Sequence, residues 1–365
     1  MKISIAQSDL HSAIQSIQRA VSAKSILPVL TGVLLSVERD HIDLYATDLE
    51  LSIRHRIIVK SDVEERVVVP ARLLSDIVKN LPDGRVDIDI DTKSNIIRLI
   101  CGSSAFDIKT MPAEDFPKFP ELKEEKTVTL PSNKLTTAIK QVIRAVSKDE
   151  TRPVLCGILV VLDKGRLKMV STDSYRLSVY EAAVDGVVVS GVSVIVPARC
   201  MDEIAKISGD IPLQIGITQN QIHFTAGNTT IVSRLIEGNF IPYQQLLPES
   251  CDLRVKINKE EFAHALRRVA LLAQNNALVK IKLGEGAVQL SAITADIGSA
   301  SESITADMSG SAMEIAFNAQ YLIDGLNSIT DDEVLLELIN PLKPGILRPG
   351  SAQDFIYLAM PVRIG

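Results

Sequence analysis

Residues 10–22 read LHSAIQSIQRAVS and residues 135–147 read LTTAIKQVIRAVS, an offset of 125 positions. The offset persists through Pro28-Val29-Leu30 and Pro153-Val154-Leu155, pairs Gly32 with Gly157, and pairs Thr47-Asp48 with Thr172-Asp173. One inserted residue later Leu51-Ser52-Ile53 matches Leu177-Ser178-Val179, and Val69-Pro70-Ala71-Arg72 matches Val196-Pro197-Ala198-Arg199. Matches spread over this distance mean that a whole domain is duplicated. A third copy is weaker: FAHALRRV at 262–269 overlays LHSAIQSI at 10–17, and Phe317-Asn318-Ala319-Gln320 overlays Val69-Pro70-Ala71-Arg72. Three copies in 365 residues agree with the ~100–150 residues of an ordinary domain. They place domains at 1–122, 126–249 and 252–365, divided at PAEDFPKFPELKEEK (112–126) and LLPESCD (246–252), neither long enough to be a free linker.

Each copy reads the same way. A short strand (KISIA at 2–6, TVTL at 127–130, LRVKI at 253–257) leads through Ser8, Ser132 or Asn258, residues suited to capping, into an amphipathic helix. In the first helix Leu10, Ala13, Ile14, Ile17 and Val21 recur three and four apart. Alternating segments such as GVLLSVERDHIDLYAT (32–47) and VDIDIDTKSNIIRLICG (86–102) follow as strands, with turn signals such as Asp83-Gly84, and a second helix follows each VPAR or FNAQ element. The expected fold is α+β, mainly antiparallel sheet with two helices per repeat.

The chemistry of most enzymes has no foothold in this sequence. It contains neither GxxxxGK[ST] nor a GxGxxG opening a helix after a strand. The five histidines lie apart, without HExxH or paired-ligand spacing, so no metal and no cofactor is expected. The four cysteines, about 45–55 residues apart, form no CxxC pair and read as reduced thiols. Asp87, Asp89 and Asp91 resemble a carboxylate cluster, but a period of two puts them on one solvated strand face. Asp48 and Asp173 recur as a Thr-Asp pair, which suits a turn held by side-chain to backbone hydrogen bonds better than a catalytic pair. No run of ~18 apolar residues is long enough to span a bilayer, and the N-terminus has no secretory pattern, so a cytoplasmic protein is expected.

A net charge of −6 and no Trp argue against a dedicated nucleic-acid or single-strand binder, unless charge is segregated. It is. Net charge is +4 on 132–148 (Lys134, Lys140, Arg144, Lys148), +1 on 71–80 and on 258–273, −1 on 319–329 and zero on 8–22 and 198–207, so the expected helices hold +5 and the remainder −11. Surplus lysine on solvated helices is the plain explanation. If the repeats lie in an arc with their helices on one side, however, the basic helices share a surface suited to a polyanion, bound without sequence preference and with strong salt dependence.

Several motifs then converge: RAVS at 19–22 and 144–147, LPVL at 27–30, ATDLELS at 46–52, VVVPAR at 67–72, MPAEDFP at 111–117, STDSYRLS at 171–178, EGNFIPY at 237–243, FNAQYLIDGL at 317–326 and the ending YLAMPVRIG. On these the chain resembles, over its whole length, the bacterial DNA polymerase III beta subunit family, the sliding clamps. The resemblance implies three clamp-type domains per protomer and a head-to-tail homodimeric ring around duplex DNA. It also implies a processivity role without catalysis, and partners (the polymerase III alpha subunit, the clamp loader, other polymerases and repair proteins) that insert linear peptides into a pocket between domains 2 and 3. A non-catalytic scaffold that binds only proteins is the alternative, and it leaves the basic helices unexplained.

Carried over residue by residue, the resemblance implies a pocket of Arg152, Leu155, Thr172, Arg176, Leu177, Pro242, Leu246, Asn318, Tyr321, Met360, Pro361, Val362 and Arg363. Lys24, Arg72, Lys148 and Arg199 are expected to face DNA. Phe106 and Ile108 on the segment SSAFDI (103–108), with Leu271 and Leu272, are expected at the dimer interface. Phe240-Ile241-Pro242-Tyr243, Gln245 and the terminal Gly365 depart from the family pattern and bear on the pocket rim.

Overall fold

The computed structural model describes residues 2–22, 26–62, 64–120, 126–184, 191–207, 209, 211–273, 278–284, 286–351 and 354–363. Repeat 1 runs β1 (Lys2–Ala6), α1 (Gln7–Ile17), β2 (Gly32–Val37), β3 (His41–Thr47), β4 (Leu51–Ile58), β5 (Glu65–Pro70), α2 (Ala71–Asn80), β6 (Arg85–Asp91), β7 (Ile96–Cys101) and β8 (Ser104–Lys109). Repeat 2 runs β9 (Lys126–Leu130), α3 (Ser132–Val142), β10 (Gly157–Asp163), β11 (Arg166–Thr172), β12 (Arg176–Ala183), β13 (Val192–Pro197), α4 (Ala198–Ile207), β14 (Leu213–Ile217), β15 (Gln221–Ala226) and β16 (Thr229–Arg234). Repeat 3 runs β17 (Leu253–Asn258), α5 (Lys259–Ala270), β18 (Leu278–Gly284), β19 (Ala287–Thr294), β20 (Gly298–Thr305), β21 (Asp307–Gly310), β22 (Met313–Asn318), α6 (Ala319–Ser328), β23 (Glu333–Leu338), β24 (Gly345–Pro349) and β25 (Phe355–Ala359). The α+β expectation holds, and the strand pairing is antiparallel throughout the described sheets.

The sheets do not stop where the repeats do. In order β5-β2-β3-β4-β16-β15-β14-β9, eight strands form one sheet, in which β4 of repeat 1 pairs with β16 of repeat 2 and Ile53 faces Ile231. A nine-stranded sheet, β13-β10-β11-β12-β25-β24-β23-β17-β21, joins repeat 2 to repeat 3 through β12 and β25, with Leu177 opposite Leu358. Two four-stranded sheets remain, β1-β6-β7-β8 and β20-β19-β18-β22. Packing follows the sheets, so the chain has two compact units, one of residues 1–133 with 203–235 and the other of 134–202 with 236–365.

In the first unit, Leu10, Ala13, Ile14 and Ile17 of α1 are buried as their spacing predicts. Val21 is not helical, because α1 gives way to a 3-10 turn over Gln18–Ala20 and Val21 is extended. The segment after β8 is no linker: Met111 exchanges backbone hydrogen bonds with Val68, and Phe116 and Phe119 meet the Tyr45 ring edge-on at 5.2 and 5.1 Å. Arg54 lies 4.5 Å over Phe119. In the second unit the corresponding segment packs Phe240, Ile241 and Tyr243 against Val170, Leu177, Val179 and Leu358.

Of the three expected caps, only Asn258 works as one, its side chain accepting from the Glu261 amide at 3.0 Å. Ser8 lies inside α1, which starts at Gln7 without a side-chain cap. Ser132 is already helical and donates to the Gly209 carbonyl at 2.9 Å. The chain turns directly from β1 into α1, Ala6 stands at the cap position, and the first helical amide, that of Gln7, is taken by the Gly84 carbonyl.

Asp48 and Asp173 hold turns. Asp48 Oδ1 accepts from the amides of Glu50 and Leu51, and Asp173 Oδ1 from those of Tyr175 and Arg176. Asp87, Asp89 and Asp91 sit at alternate, outward positions of β6. The four cysteines are thiols rather than disulfides, with Cys101 and Cys200 buried and Cys156 and Cys251 half-buried. Among the described residues no helix is long and apolar enough to cross a membrane, and no cluster of His, Cys, Asp and Glu is arranged to hold a metal.

The repeated glycine pair has a packing cause. A Cβ on Gly32 would lie 2.5 Å from Val68 Cγ1 and 3.0 Å from the Val69 carbonyl; on Gly157 it would lie 2.5 Å from Ile195 Cγ2 and 3.1 Å from the Val196 carbonyl. Gly32→Ala and Gly157→Ala should each destabilise the fold by about 1–3 kcal/mol. Denaturant melts of the two variants against the parent chain check this.

Candidate nucleic-acid interface, partner pocket and open sheet edges

Arg72 and Arg199 occupy the same place, the second residue of α2 and of α4, and both are exposed. A cation in the first turn of a helix opposes the macrodipole, so helix stability does not account for either. Lys148 follows the 3-10 turn Ile143–Ala145 that ends α3. It meets Arg199 at a depression of ≈ 510 Å³ that Arg144, Arg176, Asp202 and Asp324 also line. Chain positions 51 apart are thus brought together. Lys24 lies outside the described residues, and half of the charge assigned to the helix at 132–148, Arg144 and Lys148, lies beyond α3.

In the first unit a second depression, of ≈ 590 Å³, is lined by Ser12, Gln15, Arg19, His55, Lys206 and Thr229 among others. Its basic groups are organised by Glu203, which the sequence reading missed. This buried carboxylate pairs with Arg19 at 2.9 Å and Lys206 at 3.4 Å. Burial pushes the His55 imidazole down, and its Nδ1 lies 2.8 Å from Thr229 Oγ1 across the β4–β16 junction.

Several of the expected pocket residues lie along the chain's last strand and tail. Arg176 stands opposite Ala359 and Leu177 opposite Leu358. Beyond β25 the Met360 amide donates to the Tyr175 carbonyl, Pro361 bridges to Phe317, and the Val362 amide donates to the Ala316 carbonyl, both hydrogen bonds at 2.8 Å. The tail therefore runs beside Asn318, which caps α6, and Tyr321 in its first turn. Leu155, Thr172 and Leu177 are buried; Pro242, Leu246, Met360 and Arg363 are exposed; Asn318, Tyr321, Pro361 and Val362 are half-buried. Arg152 pairs with Asp149 at 2.9 Å and donates to Ser174 Oγ at 3.1 Å.

Two residues expected in this pocket are committed elsewhere. The Thr172 hydroxyl donates to the Arg176 carbonyl at 2.6 Å and accepts from the Ser174 amide, so it serves its own turn. Arg176 pairs with Asp173 at 3.0 Å and with Asp324, and its guanidinium carbon lies 4.8 Å from the Tyr321 ring centre. Tyr175 stacks on the same ring at 6.4 Å. Arg176 is thus a tie between repeats 2 and 3. Burial raises the neighbouring Tyr357 hydroxyl well above the usual tyrosine range, and that hydroxyl donates to the Tyr321 carbonyl.

At the sheet edges, β8 carries Phe106, 39% exposed, as a large apolar side chain short of neighbours. Ile108 corrects the sequence expectation: at 2% exposure it fills its own domain's core and has little surface for a partner. β20 is the edge of the last sheet. Leu272 Cδ1 would lie 3.8 Å from a Cβ on Gly298 at its start, and Leu271 is 75% exposed.

A thrice-repeated antiparallel framework whose sheets run through the repeat junctions, with Arg72 and Arg199 at the starts of two second helices and, among the described residues, no cluster arranged to hold a metal, has the architecture of a clamp. Family models for the N-terminal, central and C-terminal domains of the DNA polymerase III beta subunit match residues 1–120, 129–242 and 244–363. The beta sliding clamp of Staphylococcus aureus is 33% identical over 359 residues, 94% of each chain, and that of Staphylococcus epidermidis is 32% identical over 358 residues. Over the full length of both chains, the DNA polymerase sliding clamp of Bacillus subtilis superposes with a TM-score of 0.94 at 28% identity, as does the DNA polymerase III subunit beta of Pseudomonas aeruginosa. The chain belongs to the DNA polymerase III beta subunit family. It is a sliding clamp, a processivity factor that catalyses nothing itself.

Asp324→Asn should leave Arg176 with a single carboxylate in a site where the guanidinium is 10% exposed, lowering stability by about 2–4 kcal/mol. Denaturant melts check the loss, which should exceed that of Asp149→Asn at the half-exposed Arg152 pair.

Proposed function

We propose that two copies of this chain close head to tail into a ring around duplex DNA, through the first repeat of one copy and the third of the other. The repeat junctions carry this reading. Within the chain the last strand of one repeat twice joins the hairpin of the repeat before it, β16 to β4 and β25 to β12. The same operation leaves two edges unused, β8, the counterpart of β16 and β25, and β20, the counterpart of β4 and β12. A second copy satisfies both at once, and a head-to-tail contact that closes gives a ring. The hairpin alignment sets Ser233 against Ile108, and the internal register Leu51↔Ser233 then carries over as Gly298 opposite Ile108, which puts Phe106 opposite the small Ala300. Phe106, Leu271 and Leu272 are the apolar contacts of this interface.

The three domains are taken as 1–122, 126–249 and 252–365, and the site of action as the cytoplasm. Arg72, Lys148 and Arg199, with Lys24, contact phosphates of the enclosed duplex. Contacts of this kind fix no base sequence, so the ring slides. The pocket of Leu155, Leu177, Pro242, Leu246, Met360, Pro361 and Val362, rimmed by Arg152, Asn318, Tyr321 and Arg363, receives linear peptides of the polymerase III alpha subunit, the clamp loader and other replication and repair proteins.

Retention on DNA after loading tests the ring. The chain should stay on circular DNA and run off linear DNA, whereas a scaffold that binds only proteins is held by neither. The Arg72→Ala, Lys148→Ala, Arg199→Ala variant should reduce the salt slope of DNA association by about two to three, roughly 0.9 for each phosphate no longer neutralised. An unchanged slope would remove these residues from the channel.

For the pocket, Met360→Ala with Val362→Ala should weaken a Leu- and Phe-containing polymerase tail peptide at least ~30-fold, the loss of about 2 kcal/mol at an apolar hot spot. Retention on circular DNA should persist. Calorimetric titration decides it, and equal affinities would put the partner site elsewhere.

A further inference from the structure

The internal junctions also fix what meets on the helix side, and this differs from what the free ends of the chain offer. The junction-forming hairpins turn at related tips, the first two pairing Thr47 with Ser52 and Thr172 with Leu177 across four residues and the third pairing Thr294 with Gly298 across three. Thr47-Asp48-Leu49-Glu50-Leu51, Thr172-Asp173-Ser174-Tyr175-Arg176 and Thr294-Ala295-Asp296-Ile297-Gly298 all place a positive φ at their third residue, Leu49, Ser174 and Asp296 at +79°, +83° and +67°. The carbonyl of the fourth residue accepts an amide from the end of the joining strand: Glu50 from Arg234 at 3.1 Å and Tyr175 from Met360 at 2.8 Å. In the third hairpin the fourth residue is Ile297, 53% exposed.

The helix that follows each VPAR or FNAQ element supplies the other side. Its third residue is Leu73 in α2, Cys200 in α4 and Tyr321 in α6. Tyr175 stacks on Tyr321 at the junction of repeats 2 and 3. Leu73, in the corresponding place on repeat 1, is 48% exposed. The sixth residue of the same helix is acidic in all three, and the internal junctions tie it to an arginine of the preceding repeat, Glu203 to Arg19 and Asp324 to Arg176. Asp76 is the third such acid, and it is exposed. The places of Arg19 and Arg176 are taken in repeat 3 by Leu271 and Gly298. Neither position that provides the cation internally is basic there.

We propose that Ile297 of one copy packs on Leu73 of the other, an apolar contact standing where the internal junction holds Tyr175 on Tyr321, with no arginine tie to the helix acid. The inference rests on the head-to-tail reading above and specifies its helix side. Two half-exposed aliphatic side chains in equivalent places are a liability on a free protomer and a match between two. The partner is a second copy of this chain, because the two surfaces stand in the relation of the two joined surfaces inside the chain.

Charge exchange tests the contact. Leu73→Lys and Ile297→Glu, each alone, should weaken self-association at least ~30-fold, since each buries an uncompensated charge in both junctions of the ring. Combined in one chain they face each other at both junctions, and the dimer should return to within about fivefold of the parent affinity. Sedimentation equilibrium reads the affinities. Both positions are exposed in the protomer, and circular dichroism confirms that each variant is folded. A combined variant no tighter than the single ones, or single variants as tight as the parent, overturns the contact while the ring reading stands. A parent chain that stays monomeric at tens of micromolar overturns the ring reading and the contact together.

Discussion

The antiparallel pairing of a hairpin edge in one repeat with the last strand of the next is the interaction on which the rest of the molecule depends. An exposed strand edge is a row of unsatisfied amides and carbonyls. The chain resolves this twice, by carrying β4 into β16 and β12 into β25, with apolar pairs such as Ile53–Ile231 and Leu177–Leu358 at the seam. Each seam is reinforced on the helix side by an acid and an arginine, the buried Glu203 with Arg19 and the half-buried Asp324 with Arg176. Losing one partner of such a pair leaves a half-buried or buried charge uncompensated, so the ion pairs add to the cost of separating the seams. A processivity factor needs that property, because a tether that opened at its internal seams would release what it holds.

The same junctions set the tail residues of the proposed pocket in place. Met360, Pro361 and Val362 follow β25 directly, so the pairing of β25 with β12 sets these apolar side chains beside the hairpin of Arg176 and the start of α6. Basic groups gather for a related reason. Each second helix starts as soon as its strand ends, which fixes Arg72 and Arg199 at the same turn, and the 3-10 turn after α3 returns Lys148 towards Arg199. The acidic balance of the chain, −6 overall, is carried elsewhere, and much of it is spent on turns and ion pairs such as Asp48, Asp173 and Glu203. Local positive charge of this kind suits a polyanion even on a negative protein.

The sequence made the repeats visible because a duplicated structural unit must keep the same apolar spacing, turn residues and close approaches. Gly32 and Gly157 persist since each lies against the side chain of the strand beside it, and Asp48 and Asp173 persist since each closes a hairpin tip. Reading was less successful where a side chain has two possible employers. Ser8 and Ser132 suit a cap, yet the strand runs into the helix without needing one. Ile108 stands two residues from Phe106 on the edge strand, but its side chain is buried where that of Phe106 is exposed. Arg176 and Thr172 are near the pocket and are taken up by ion pairs and by a turn.

By itself, then, the amino-acid order determined the number of domains, their α+β character, the absence of catalytic motifs and the surplus of positive charge on the helical segments. These are local properties, set by periodicity, turn chemistry and composition within a few residues. Only the tertiary structure decided that the sheets pass through the repeat boundaries, that Glu203 and Asp324 bind arginines from the preceding repeat, and which apolar side chains remain exposed. Those outcomes depend on which strand edges meet, and pairing between strands such as β12 and β25, separated by most of two repeats, leaves no periodic trace in the sequence of either.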